Sequence, residues 1–88
     1  MKPLKIDSTP DTPYVNLNKD ENQFEIFGAS LPANIFEFYD PVLKWFKKYA
    51  ENPNNETNLK LKFEYLNSSS TKMILNIIST LETIKNQG

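Results

Sequence analysis

An α/β fold, a small mixed β-sheet with two long helices packed on one of its faces, is what this sequence predicts. Three observations lead there. Leu59, Leu61, Phe63 and Tyr65 alternate with Lys60, Lys62 and Glu64, so one side of that strand is covered and the other is wet. Two segments, one before this strand and one after it, repeat apolar residues at helical spacing. Strand-like and helix-like stretches alternate along 88 residues, a length that suits one domain.

The elements follow in order. Leu4-Lys5-Ile6 alternates and reads as a short edge strand. Asp7 to Pro13 holds two prolines among small polar residues and reads as an extended connection. Tyr14–Asn18 and Gln23–Phe27 put Val15 and Leu17, then Phe24 and Ile26, on one face each. With polar Lys19 to Asn22 between them, they predict a β-hairpin. Gly28 closes the hairpin, at a position where positive φ suits glycine.

A long helix follows Asn34, with Ile35, Phe36, Phe38, Tyr39, Val42, Leu43, Trp45, Phe46 and Tyr49 on its apolar side. Pro41 interrupts it, because proline lacks a backbone donor. The apolar stripe keeps its phase across Pro41, which favours one kinked helix with Pro41 on the wet side over a second helix capped by Asp40. Trp45 reads as an anchor in a core or interface. Glu51 to Glu56 stops the helix and turns the chain. Thr57–Leu66 is then the clearest strand and the expected centre of the sheet. A second helix, about Ser69 to Asn86, buries Met73, Ile74, Ile77, Ile78, Leu81 and Ile84, leaves Leu75 off that face and puts Lys85 in its last turn. Asn86-Gln87-Gly88 reads as its stop. Leu61, Phe63, Phe38, Val42, Phe46, Ile74, Ile77 and Leu81 are expected to share one core.

Composition narrows the chemistry. With no Cys there is no disulfide framework and no thiolate, and with no His the usual general base and commonest metal ligand are gone. No cofactor motif is present: there is no Gly-rich phosphate loop. Lys and Arg total 10 against 11 for Asp and Glu, so the net charge of −1 gives no electrostatic footprint for nucleic acid or an anionic membrane. No apolar run approaches a membrane span, and Met1-Lys2-Pro3-Leu4-Lys5 has no hydrophobic block behind it, so a cytoplasmic protein is expected.

One stretch stands out. Between the end of the strand at Leu66 and the apolar helix face lie Asn67 and four consecutive hydroxyl residues, Ser68 to Thr71. Free N–H groups at a helix start favour negative charge. A hydroxyl there can cap the helix, bind an anion or accept a phosphoryl group. The plainest reading is a cap from Asn67 or Ser68, with Ser69 to Thr71 filling the first turn.

Ser30-Leu31-Pro32-Ala33-Asn34, Phe36-Glu37-Phe38-Tyr39, Pro41 and Trp45, with Thr12-Pro13 ahead of them and Tyr65-Leu66-Asn67-Ser68-Ser69-Ser70-Thr71-Lys72 behind, resemble the SiaC family of bacterial regulatory phosphoproteins. The similarity runs through nearly all of the chain, and the Tyr-Leu-Asn-Ser-Ser stretch is its most specific part. It implies a small cytoplasmic α/β protein of STAS-like fold, comparable with anti-sigma-factor antagonists. It implies a partner-switching module: the unphosphorylated protein binds and activates a diguanylate cyclase or similar effector, a serine/threonine kinase phosphorylates it, and a metal-dependent serine/threonine phosphatase restores it. The family's acceptor hydroxyl follows the Asn of the motif, which implies Ser68, with Tyr65, Leu66, Asn67, Ser69, Ser70, Thr71 and Lys72 as the partner surface. The resemblance implies no catalytic residue and no metal. An unphosphorylated interaction or scaffolding domain is the alternative. An enzyme using serine would have only Lys72 as a nearby base. Family members usually continue with a further strand and helix, so residues 1–88 are expected to be a single domain lacking that C-terminal part. The edge beside Thr57–Leu66 is then expected to be unpaired, or filled by another chain in a dimer with a shared or swapped strand.

Overall fold

The computed structural model describes residues 1–87, with side chains through Ile84. Its elements are β1 (Leu4–Ile6), β2 (Tyr14–Asn18), β3 (Gln23–Ser30), α1 (Ile35–Glu51), β4 (Leu59–Leu66) and α2 (Ser68–Gln87). The four strands form one mixed sheet in the order β1-β2-β3-β4. β1–β2 and β2–β3 are antiparallel, and β3–β4 is parallel, as the α1 crossover between them requires. Val15, Leu17, Phe24 and Ile26 point from one sheet face into a core shared with Tyr39, Val42, Trp45, Phe46 and Tyr49 of α1 and Met73, Ile74 and Ile77 of α2. Among the described residues, no helix is long and apolar enough to cross a membrane.

The expected hairpin forms, with Asn22 at φ 56 in its loop, where Asn is the residue other than Gly that best tolerates positive φ. Asn54 steadies that loop from the far side, its Nδ2 donating to the Lys19 carbonyl at 2.8 Å. Gly28 takes φ +119 where β3 leaves β2, so it closes the hairpin as expected. The strand itself runs on to Ser30, because residues 28–30 pair with β4 instead.

Two expectations about β4 are corrected. It lies at one edge of the sheet, not its centre, since among the described residues it pairs only with β3. For that reason Leu61 and Phe63 pack against the core but are only partly buried. Its alternation also breaks. Gly28 faces Phe63 and Ala29 faces Tyr65, so Glu64 is an extra residue in a β-bulge. Past the bulge the faces exchange. Leu66 packs inward beside Ser30, and Tyr65, expected on the covered face, is 56% exposed.

α1 is one helix through Pro41, which is exposed and leaves only a solvent-side carbonyl without its partner. Asn34 caps it, its Oδ1 accepting from the Glu37 amide at 3.1 Å. Trp45 is a core anchor: it stacks on Tyr49 at 5.4 Å, and its Nε1 donates to the Lys2 carbonyl at 2.9 Å. Phe36, expected on the buried stripe, is 69% exposed. At about 100° per residue it falls at the margin of the stripe centred on Ile35 and Phe46. In α2 the expected apolar face is the buried one, and Leu75 is 56% exposed. The helix continues through Asn86 to Gln87. The Gly88 turn and the Lys85 side chain lie outside the described residues.

Candidate functional site

The hydroxyl-rich turn sits at the carboxyl ends of the parallel strands β3 and β4, the edge where α/β sheets tend to place ligands. Asn67 is the helix cap. Its Oδ1 accepts from the Ser70 amide at 2.9 Å, and its carbonyl accepts from the Thr71 amide at 2.9 Å and from Thr71 Oγ1 at 3.1 Å. The Asn67 amide donates to the Ser30 carbonyl at 3.1 Å, tying the turn to the end of β3. A helix start leaves several N–H groups without intrahelical partners. With those of Asn67 and Ser70 satisfied in this way, the amides of Ser68 and Ser69 remain.

Ser68 is thus the first residue of α2, exposed and released from capping. Ser69 is exposed as well. No acidic residue occupies the first turn of α2, so the helix supplies no carboxylate to its own positive end. Lys72, exposed one turn further on, lies on the same side of the helix as Ser68. Tyr65 stands out from the open face of the sheet, two residues before the cap.

The other residues singled out from the sequence divide differently. Leu66 is part of the core wall beneath the turn. Ser70 is fully buried, so it supports the turn from below and presents nothing at the surface. Thr71 is half-buried, with its hydroxyl committed to the Asn67 carbonyl. Tyr65, Ser68, Ser69 and Lys72 are exposed and Asn67 is half-buried, all within eight residues of chain around the turn.

Two residues of this site were not foreseen in that role: Ser30 and Tyr39. Both are fully buried under the turn, with Ser30 Oγ 2.5 Å from Tyr39 Oη and 2.8 Å from Ser70 Oγ. The available signal was a tyrosine on the apolar side of α1, because a buried phenol needs a hydrogen-bond partner. Burial raises the Tyr39 pKa, with the hydroxyls of Ser30 and Ser70 pulling it partly back.

Comparison with known proteins agrees with this architecture. The family model described as "SiaC family regulatory phosphoprotein" matches residues 6–88. A Pseudomonas aeruginosa protein (strain UCBPP-PA14), itself described as uncharacterized, is 28% identical over all 88 residues, which span 70% of its length. The crystal structure of apo-SiaC from Pseudomonas aeruginosa superimposes with a TM-score of 0.93 at 28% identity, covering 100% of this chain and 73% of that one. A further structure, of the diguanylate cyclase SiaD from Pseudomonas aeruginosa in complex with its activator SiaC, matches 97% of this chain and 70% of that one, with a TM-score of 0.90 and 28% identity. With the matched model reaching over nearly the whole sequence, the chain belongs to the SiaC family of regulatory phosphoproteins.

Proposed function

We propose that this chain is a phosphorylation-switched partner protein: unphosphorylated, it binds and regulates a diguanylate cyclase, and a phosphate on Ser68 ends that binding. The observation that supports this reading most is the state of Ser68. It is the exposed first residue of α2, free of capping, beside backbone amides that no other group engages among the described residues. The SiaD–SiaC complex supplies the class of effector.

The switch needs no unfolding. A phosphate adds about −1.5 to −2 charges, and a helix N-terminus accommodates them. The fold is therefore kept while the surface around Tyr65, Asn67, Ser69 and Lys72 changes sign and shape. A partner fitted to the neutral turn then meets a hydrated dianion that costs free energy to bury. A serine/threonine kinase and a metal-dependent serine/threonine phosphatase set the balance in this reading. The outer edge of β4, unpaired among the described residues, is where a further strand or a second chain would add.

Phosphopeptide mapping of the chain purified from its own host tests the acceptor. Phosphate is expected on Ser68 and absent from a Ser68→Ala chain. Phosphate found instead on Ser69 or Thr71 would remove Ser68 from the switch, and a chain that never carries phosphate would leave a plain binding domain.

A further inference from the structure

Three buried hydroxyls lie under the turn, on three different elements: Ser30 at the end of β3, Tyr39 on α1 and Ser70 in α2. Their protons follow from the geometry. Ser70 Oγ donates to the Ser30 carbonyl at 3.0 Å, because a carbonyl only accepts. Ser30 Oγ donates to Ser70 Oγ at 2.8 Å. Both serine protons are then used, so Tyr39 donates to Ser30 Oγ. The result is one directed chain of hydrogen bonds from Tyr39 through Ser30 and Ser70 to the Ser30 carbonyl. No buried side-chain polar atom is left without a partner among the described residues.

That same carbonyl also accepts from the Asn67 amide at 3.1 Å. One acceptor therefore grips the polypeptide on both sides of the exposed pair, at Asn67 before it and at Ser70 after it. Ser68 and Ser69 stand between these anchors as an arch. Capping alone does not call for this arrangement, since Asn67 Oδ1 already satisfies the Ser70 amide. Apolar side chains in these places would avoid the desolvation cost of three hydroxyls. A buried polar network with every member satisfied has a different virtue, which is to specify a single arrangement of the elements it joins.

On the assignment of Ser68 as acceptor, we propose that Ser30, Tyr39 and Ser70 are positioning residues, whose hydroxyl chain holds the arch so that a phosphate on Ser68 meets the free amides of Ser68 and Ser69. Phosphoserine introduced genetically at position 68 makes the test independent of any kinase. In backbone amide NMR, the Ser68 and Ser69 amide protons should move downfield relative to the unphosphorylated chain. Ser70→Ala cuts the hydroxyl chain at its centre and should lose most of that displacement. Tyr39→Phe removes only the first donor and should lose part of it. Ile77→Val is the control, because it loosens the core of α2 without touching a hydroxyl, and it should keep the full displacement. Undiminished shifts in both hydroxyl variants would overturn the proposal. So would an equal loss in Ile77→Val, which would reduce the effect to general loosening. If Ser70→Ala fails to fold, Tyr39→Phe decides by the same criterion. Effector binding by the same phosphorylated sample reports on the Ser68 switch alone, so the two ideas fail separately.

Discussion

Asn67 and Ser68 are adjacent, and the structure divides the labour of a helix start between them. The Asn67 side chain caps the Ser70 amide, so Asn67→Ala should destabilise the chain by about 0.5–2 kcal/mol. Ser68 caps nothing, so Ser68→Ala should stay within about 0.5 kcal/mol of the parent. Urea unfolding of the two variants checks this, and a loss in Ser68→Ala larger than that in Asn67→Ala would move the cap to Ser68. The sequence narrowed the cap to these two residues and no further, because Asn and Ser are nearly equivalent caps. Tyr39 makes a pH-dependent prediction. Its phenol ionises above the ordinary value of 10.0 in the folded chain, because burial disfavours the anion. The unfolded chain therefore gives up this proton first. The resulting stability is fully present below the ordinary value and is lost as pH rises from there through the raised folded value. Unfolding midpoints should fall more steeply across that alkaline window in the parent than in Tyr39→Phe, and parallel slopes would contradict the assignment.

Among the elements, β4 was both the clearest strand in the sequence and the one whose details were least legible. Its alternation from Leu59 to Phe63 is the observed one, but no residue type announces the bulge at Glu64. That bulge frees Tyr65 and turns Leu66 inward. Deleting Glu64 should therefore leave every neighbour on its present face and preserve a cooperative melt. Deleting Lys62 should put Phe63 on the wet face and abolish that melt. Thermal unfolding followed by circular dichroism separates the two, and similar behaviour would place the bulge elsewhere. α1 gives a parallel contrast. Phe46 is fully buried, and its truncation to Ala should cost about 3–5 kcal/mol. Phe36 is largely exposed, and Phe36→Ala should change stability by less than about 0.5 kcal/mol. Both phenylalanines lie within the broad apolar stripe that periodicity picks out. Only the docking angle of the helix, a tertiary property, decides which edge of the stripe is wet.

For the molecule as a whole, the fold class, the single-sided helix layer and the place of the hydroxyl turn were legible, because period-2 and period-3.6 patterns barely overlap in this chain. The position of β4 in the sheet was not, since strand order depends on pairing between distant segments. The buried partners of the turn were hidden for the same reason: Ser30 and Ser70 are 40 residues apart. What the assembled molecule offers is a packed platform with two exposed hydroxyls, those of Ser68 and Ser69, at the positive end of a helix, on a scaffold that binds a cyclase in its relative. The direct test is the affinity of a diguanylate cyclase from the same genome for three forms of the chain: unmodified, phosphorylated on Ser68, and Ser68→Ala. Circular dichroism is recorded for each. The phosphorylated form should keep its spectrum and lose at least about tenfold in affinity, or about 1.4 kcal/mol, while Ser68→Ala binds as the unmodified chain does. A Ser68-phosphorylated chain that binds the cyclase as tightly as the unmodified one would contradict the switch.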